Sequence, residues 1–272
     1  MEIKAYAKIN ITIDVGERRD DGYHEIDSIM QTVSLYDTVK LERAEKTEVI
    51  CSDNSLSGEN NIAGRAAELF FELSGISGGA KIHIEKNIPY PAGLGGGSAD
   101  AAAVLVGLNR LYGTEIPVEI LERVAVRLGA DVPFFISGGT KRCEGIGERL
   151  TALPSLPKCY FVIAKNGEKS STGEMYKRLD STPRKRLDVS GAVEAVRLGD
   201  LDGLAQLCGN SFAGVCGLYG IDEVLSPSNP MLVSLSGSGP AVFAMYRDEA
   251  AAQYGCKLLK DANIEHWLTT TV

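Results

Sequence analysis

Pro91-Ala92-Gly93-Leu94-Gly95-Gly96-Gly97-Ser98-Ala99-Asp100-Ala101-Ala102-Ala103 is the stretch on which the reading of the fold turns. Its glycines lack Cβ, so successive backbone N–H groups can converge on one anion. The alanine-rich run that follows reads as an uninterrupted helix to about residue 111, and its positive dipole end adds to those N–H groups. Such a loop suits a triphosphate. Ser98, in the first helical turn, can donate to a phosphate oxygen or ligate magnesium. The competing reading is a flexible loop whose glycines only let a helix pack closely. Other phosphate signatures are excluded: no lysine precedes Ser98 as in a Walker A loop, Ser98 stands where a dinucleotide fingerprint has its third glycine, and no HRD or DFG segment is present.

Upstream of the loop, apolar and polar residues alternate over 3–13, 24–33, 38–41 and 47–50, which predicts strands. Asn60 is placed to cap a helix whose apolar face is Ala63, Ala66, Leu69 and Phe70, and residues 81–85 form a short alternating strand before the loop. Downstream, Pro117 suits the N1 position of a helix running to about residue 128. Pro154 and Pro157 punctuate the chain before a strand at 159–163, which puts a domain boundary there. Helices at 173–179, 190–198 and 201–207, strands at 232–235 and 241–246, and a closing helix and strand complete an α+β pattern.

Composition sets the outer limits. The chain has 272 residues, of which 44% are apolar and 24% charged, enough for two cores of ordinary size. Its net charge of −8 argues against nucleic acid or anionic membrane as partners, so an anionic substrate has to find local positive charge. No apolar run approaches the ~20 residues that span a bilayer, and the N-terminus has no signal-like core, so a cytoplasmic location is expected. Cys51, Cys143, Cys159, Cys208, Cys216 and Cys256 show neither a CxxC pair nor metal-ligand spacing, which predicts reduced thiols.

Three further segments carry candidate chemistry. In Ala5-Tyr6-Ala7-Lys8-Ile9-Asn10, strand periodicity puts Lys8 and Asn10 on one face. Lys8 is either an ordinary solvated lysine or a cation that neutralises phosphoryl charge and keeps a nearby carboxylate ionised. In Leu128-Gly129-Ala130-Asp131-Val132-Pro133-Phe134-Phe135, Asp131 sits among apolar neighbours, as a loop acid at a helix C-terminus, as the cap of a following turn, or as a proton acceptor in a semi-dry cleft. Leu235-Ser236-Gly237-Ser238-Gly239 joins two strands through a small-residue turn. It reads as a plain hairpin or as a second source of backbone N–H groups for an anion.

In this order and spacing the segments resemble the GHMP kinases. The loop is similar to that superfamily's P-x-x-x-G-L-G-x-x-S-A motif, and 235–239 to its C-terminal glycine motif. Within it, Ala7-Lys8-Ile9-Asn10, Arg19-Asp20-Asp21-Gly22-Tyr23-His24-Glu25, 128–135 and Gly145-Ile146-Gly147-Glu148 resemble the diphosphocytidyl-methylerythritol kinases. The resemblance implies a two-domain fold, residues 1–156 being like ribosomal protein S5 domain 2 and 157–272 ferredoxin-like. It implies ATP and Mg2+ as cofactors and 4-diphosphocytidyl-2-C-methyl-D-erythritol as small-molecule substrate, with no nucleic acid or membrane partner, in a monomer or homodimer. Lys8 and Asp131 are implied as the catalytic pair. Pro89, Tyr90, Pro91, Ala92, Gly93, Leu94, Gly95, Gly96, Gly97, Ser98 and Ala99 are implied as the ATP-phosphate loop, with Ser98 also the metal ligand. Substrate contacts fall on Asn10, Tyr23, His24 and Tyr176, with Tyr23 stacking on a cytosine, His24 hydrogen-bonding it and Tyr176 covering its other face. The alternative is another GHMP activity, of the mevalonate or homoserine type. Two departures stand out: where that family has Asn-Asp-Leu-Glu, this chain has Cys208-Gly209-Asn210-Ser211-Phe212, and Lys165-Asn166-Gly167-Glu168 replaces its Pro-rich entry to the Tyr176 segment.

Overall fold

The structure is a computed structural model that describes residues 1–58, 60–167, 171–183 and 185–272. The chain forms two compact units whose segments interleave. The first comprises Met1–Ala7, Leu35–Pro89 and Gly95–Gly138, and the second Lys8–Ser34, Tyr90–Leu94 and Gly139–Val272. Two long strands, β1 (Glu2–Arg18) and β2 (His24–Ala44), contribute residues to both. The fold is α+β, as expected from the order of elements.

In the first unit, β3 (Glu48–Cys51) runs parallel to β4 (Gly79–Glu85), and β4 runs antiparallel to the second half of β2, Thr38 facing Glu85 and Ala44 facing Gly79. Helices α1 (Ile62–Ser74), α2 (Gly96–Tyr112), α3 (Val118–Ala125) and α4 (Val132–Ser137) pack around one core. The buried faces of α1 and α2 are rich in small side chains, Ala63, Ala66 and Ala67 on one and Ala99, Ala101, Ala102 and Ala103 on the other, with Phe70 of α1 buried in the same core. Gly107 lets α2 lie close to the sheet, because a Cβ there would stand 2.3 Å from Leu41 Cδ1.

In the second unit, β5 (Thr140–Gly145) pairs with the first half of β2 and with β6 (Arg149–Ala152). A separate antiparallel sheet has the order β10-β7-β9-β8, from β7 (Tyr160–Lys165), β8 (Leu232–Leu235), β9 (Ala241–Tyr246) and β10 (Glu265–Thr270). Its core takes Val162, Ala164, Val242, Ala244 and Tyr246 from the strands. Met175 and Leu179 come from α5 (Thr172–Asp180), and Ala252 and Leu259 from α10 (Glu249–Asp261). Helices α6 (Val189–Leu198), α7 (Leu201–Leu207), α8 (Ala213–Cys216) and α9 (Ile221–Leu225) follow α5 in the chain.

Several local expectations shift. The residue that caps α1 is Asn61 and not Asn60, because its Oδ1 accepts the Ala63 N–H at 2.8 Å, and Gly75 closes the helix in the left-handed conformation. Pro117 is the N-cap of α3, one position before N1, and α3 ends at Ala125, where the chain turns through Leu128. The strands expected at 24–33 and 38–41 are one strand, β2, with both faces buried over much of its length. All six cysteines are free thiols, as expected.

Candidate active site

In the second unit the site grows from β1. Lys8 and Asn10 are buried side by side on one face, as strand periodicity requires, and Lys8 Nζ donates to Asn10 Oδ1 at 2.5 Å. The orientation of the Asn10 carboxamide is determined from its other end. Its Nδ2 donates to Ser28 Oγ at 2.8 Å, and Ser28 Oγ donates to the Thr12 carbonyl at 2.7 Å. Asn10 Oδ1 is therefore the atom turned toward the amine.

The glycine segment is tied to the same strand, the Lys8 N–H donating to the Leu94 carbonyl at 3.0 Å. Gly93 has φ +86° and meets the C-terminal glycine turn. Its carbonyl accepts from Ser236 Oγ at 3.1 Å, and a Cβ at this position would lie 2.4 Å from the Ser236 carbonyl. Asn210 holds that turn from beneath, its Nδ2 donating to the carbonyls of Leu235 at 2.7 Å and Gly237 at 2.9 Å while its Oδ1 accepts the Phe212 N–H at 2.8 Å. The departure noted at 208–212 thus supplies a scaffold for the 235–239 motif. Both glycine motifs of this unit abut, which a plain hairpin reading of 235–239 does not account for.

Tyr23, His24 and Tyr176 also belong to this unit. Tyr23 follows Gly22, at φ +87°, in a turn whose Asp21 Oδ1 accepts the Tyr23 N–H at 3.1 Å, and the residue is 60% exposed, which leaves it accessible for stacking. His24 is buried. Its Nε2 lies 2.7 Å from Asp180 Oδ1, and its ring stacks on Tyr176 with centroids 4.7 Å apart at 22°. Tyr176 in turn meets the Phe212 ring edge-on at 5.0 Å. One helix, α5, supplies both the ring and the carboxylate that hold His24, because Tyr176 and Asp180 are one turn apart on it. The ring of Tyr176, expected by resemblance to cover one face of a cytosine, stacks on His24 in this structure.

In the first unit, Gly95 stands at φ +74° as the N-cap of α2. It offers no side-chain cap, and no acid lies in the first turn. The N–H groups of Gly96, Gly97 and Ser98 have no intrahelical acceptor by their position, and they sit at the positive end of a long helix. A Cβ on Gly97 would meet only Ile62 Cγ2, at 3.6 Å, so the approach is open. This cradle fits a chain of phosphates. Among residues 95–98 only Ser98 carries a side-chain oxygen, the donor type that magnesium takes. Asp131 is half-buried at the N-cap position of α4 and makes no side-chain capping bond there.

Sequence reasoning missed a second buried group beside the loop. Lys86 Nζ donates to Asp37 Oδ2 and, at 2.7 Å, to Asp100 Oδ2. Burial pushes the Asp100 carboxyl up to about 7 despite the pull of Lys86, with Asp37 adding to the rise. Burial opposes the charge on Lys86, but Asp100 and Asp37 outweigh it and hold the amine above its ordinary range. The only clue in the sequence was a lysine just before the loop and an acid inside an alanine-rich helix. Also missed were Ser28, Ser236 and Asp180.

Comparison with known proteins bears on this arrangement. Residues 61–139 match the family described as GHMP kinases N terminal domain. A relative from Caldicellulosiruptor saccharolyticus, a 4-diphosphocytidyl-2-C-methyl-D-erythritol kinase, is 42% identical over all of this chain and 97% of its own length. A solved 4-(cytidine 5'-diphospho)-2C-methyl-D-erythritol kinase superposes with a TM-score of 0.84 at 34% identity, covering 100% of this chain and 99% of that one. A homoserine kinase from Cytophaga hutchinsonii, at 20% identity and a TM-score of 0.77 over 100% of this chain and 94% of its own, shares the fold. Fold and glycine motifs define the class as the GHMP kinases. Within that class the chain belongs to the 4-diphosphocytidyl-2-C-methyl-D-erythritol kinase family.

Proposed function

We propose that the protein transfers the γ-phosphate of ATP to the 2-hydroxyl of 4-diphosphocytidyl-2-C-methyl-D-erythritol, a step in non-mevalonate isoprenoid precursor synthesis. The observation that carries this reading over a mevalonate or homoserine activity is the 42% identity, along the whole chain, to a relative of that name. The uncapped start of α2 supports the ATP half of the reaction, and the exposed ring of Tyr23 beside His24 supports recognition of a pyrimidine base.

In the reaction, the substrate hydroxyl oxygen forms a bond to the γ-phosphorus as the bond to the β–γ bridging oxygen breaks and ADP leaves. Asp131 accepts the hydroxyl proton. Lys8, oriented by Asn10, carries positive charge toward the transferring group. The N–H groups of Gly96, Gly97 and Ser98 would hold phosphate oxygens, and Ser98 Oγ would be the protein's ligand to a magnesium ion, which would supply charge neutralisation. Because phosphoryl transfer passes through a loose transition state, positioning and electrostatics contribute more than proton removal. Tyr23 and His24 bind the base, with Tyr176 stacked on the His24 ring and holding it in place.

The test pairs a substrate panel with one variant. ATP consumption is measured with the cytidine substrate, mevalonate, homoserine and galactose, and turnover of another panel member alone rejects the substrate assignment. Asp131→Asn is expected to lower kcat about a hundredfold or more while leaving nucleotide affinity near wild type. Near-normal turnover in that variant removes the base role from Asp131.

A further inference from the structure

The buried group beside the phosphate loop has no part in the reaction just described, yet it touches both ends of the loop. Asp37 comes from β2, Lys86 follows β4, and Asp100 lies in the second turn of α2, all within the first unit. Asp37 Oδ1 accepts two successive backbone N–H groups, Asn87 at 2.6 Å and Ile88 at 2.8 Å, while its Oδ2 accepts from Lys86 Nζ. The Lys86 N–H donates to Ser52 Oγ at 2.9 Å. The backbone leading into the loop is therefore held at 86, 87 and 88. On the far side, Lys86 Nζ reaches Asp100, and a Cβ on Gly96 would stand 3.3 Å from that nitrogen and 3.2 Å from Ile88 Cγ2.

Two carboxylates and an ammonium in a core are a costly way to join a strand to a helix, since apolar side chains of equal size do it without desolvating charge. Asp100 Oδ1 moreover has no hydrogen-bond partner and is buried. Unsatisfied buried groups of this kind call for a reason beyond stability. What the ionic trio offers over an apolar one is direction, because each contact fixes an angle as well as a distance.

We propose that Asp37, Lys86 and Asp100 are positioning residues that clasp the two ends of the phosphate loop and thereby set affinity for the triphosphate, leaving the chemical step and the cytidine substrate's affinity untouched. The clasp rests on the reading of residues 89–99 as the ATP-phosphate loop. It acts before ATP arrives: with both ends held, less backbone freedom remains to be lost when phosphates bind.

The experiment compares wild type with Lys86→Met/Asp100→Leu, which replaces the ionic pair by apolar side chains of similar size, with Asp37→Asn, and with the conservative Asp100→Asn, which keeps an acceptor for Lys86. Binding of a non-hydrolysable ATP analogue, KM for each substrate, kcat, and amide hydrogen exchange of the nucleotide-free protein are measured. In the double variant, analogue affinity and KM for ATP are expected to worsen roughly tenfold or more. Its kcat at saturating ATP and its KM for the cytidine substrate should stay within about twofold. Exchange should quicken within 86–98 alone, a change that loss of a direct contact to nucleotide does not produce in its absence. Asp100→Asn should recover most of the affinity. Should the double variant fail to fold, Asp37→Asn carries the same expectation. Unchanged analogue affinity in a folded variant overturns the clasp, and so does a uniform rise in exchange with kcat and both KM values moving together. Failure of the wild type itself to bind the analogue overturns the phosphate-loop reading instead.

Discussion

Gly93→Ala and Gly97→Ala put the same methyl group into the same glycine motif, and the structure gives them opposite signs. Gly93 has φ +86°, a conformation that costs an alanine about 1–2 kcal/mol. Its new Cβ would also lie 2.4 Å from the Ser236 carbonyl and 3.3 Å from that of Gly239, and both are backbone atoms of a turn tied down by Asn210. Forcing that turn aside adds about 1–3 kcal/mol of overpacking. The total is about 2–5 kcal/mol, which for a chain of this size lowers the melting temperature by roughly 5–15 °C. Gly97 sits inside α2 with open space on its Cα, so alanine there gains about 0.5–1 kcal/mol from the unfolded chain's lost freedom and leaves melting unchanged or slightly raised. Thermal unfolding by circular dichroism reads the pair, with KM for ATP alongside. Gly93→Ala melting within about 2 °C of wild type, well inside the shift worked out above, refutes the packing of the two glycine turns. A large fall in Gly97→Ala refutes the open approach to the helix start.

Ser28→Ala strips the acceptor from Asn10 Nδ2, and a buried donor left unpaired costs about 1–3 kcal/mol, so the carboxamide is no longer held with its Oδ1 facing Lys8. Steady-state kinetics should show kcat down by roughly tenfold with KM for ATP unchanged, and an unaltered kcat removes Ser28 from the ordering of Lys8. Asp180→Ala frees His24 Nε2 and should raise KM for the cytidine substrate roughly fivefold, the worth of about 1 kcal/mol in one hydrogen bond, whereas equal KM values detach Asp180 from base recognition. Burial pushes the Cys159 thiol up to about 12, so at pH 8 it carries almost no thiolate, and an alkylating reagent followed by mass spectrometry should leave it intact until the protein is unfolded. Rapid labelling of native protein at that pH contradicts the buried placement.

What could be read from the residues, and what could not, follows from the range of the interactions. The start of α2 was legible because glycines, a small-residue run and a hydroxyl act on the same anion from adjacent positions. The shared face of Lys8 and Asn10 was legible because strand geometry alone puts alternate residues together. Ser236 was quoted only as part of a turn. Its hydroxyl meets Gly93, 143 positions away, and the Asn10 N–H, 226 positions away, and no local pattern marks a serine for such a role. Asn210 stood out for the wrong reason, as a break in a family pattern, when its carboxamide is what joins two carbonyls and an N–H of the C-terminal glycine turn. The same holds for Asp37, which fell between the strands read at 24–33 and 38–41 until the fold ran them into one and buried it against the backbone of residues 87 and 88. Motifs reveal groups that act on the ligand. The groups that hold those groups still are recognised by what they touch, and touch is a property of the fold.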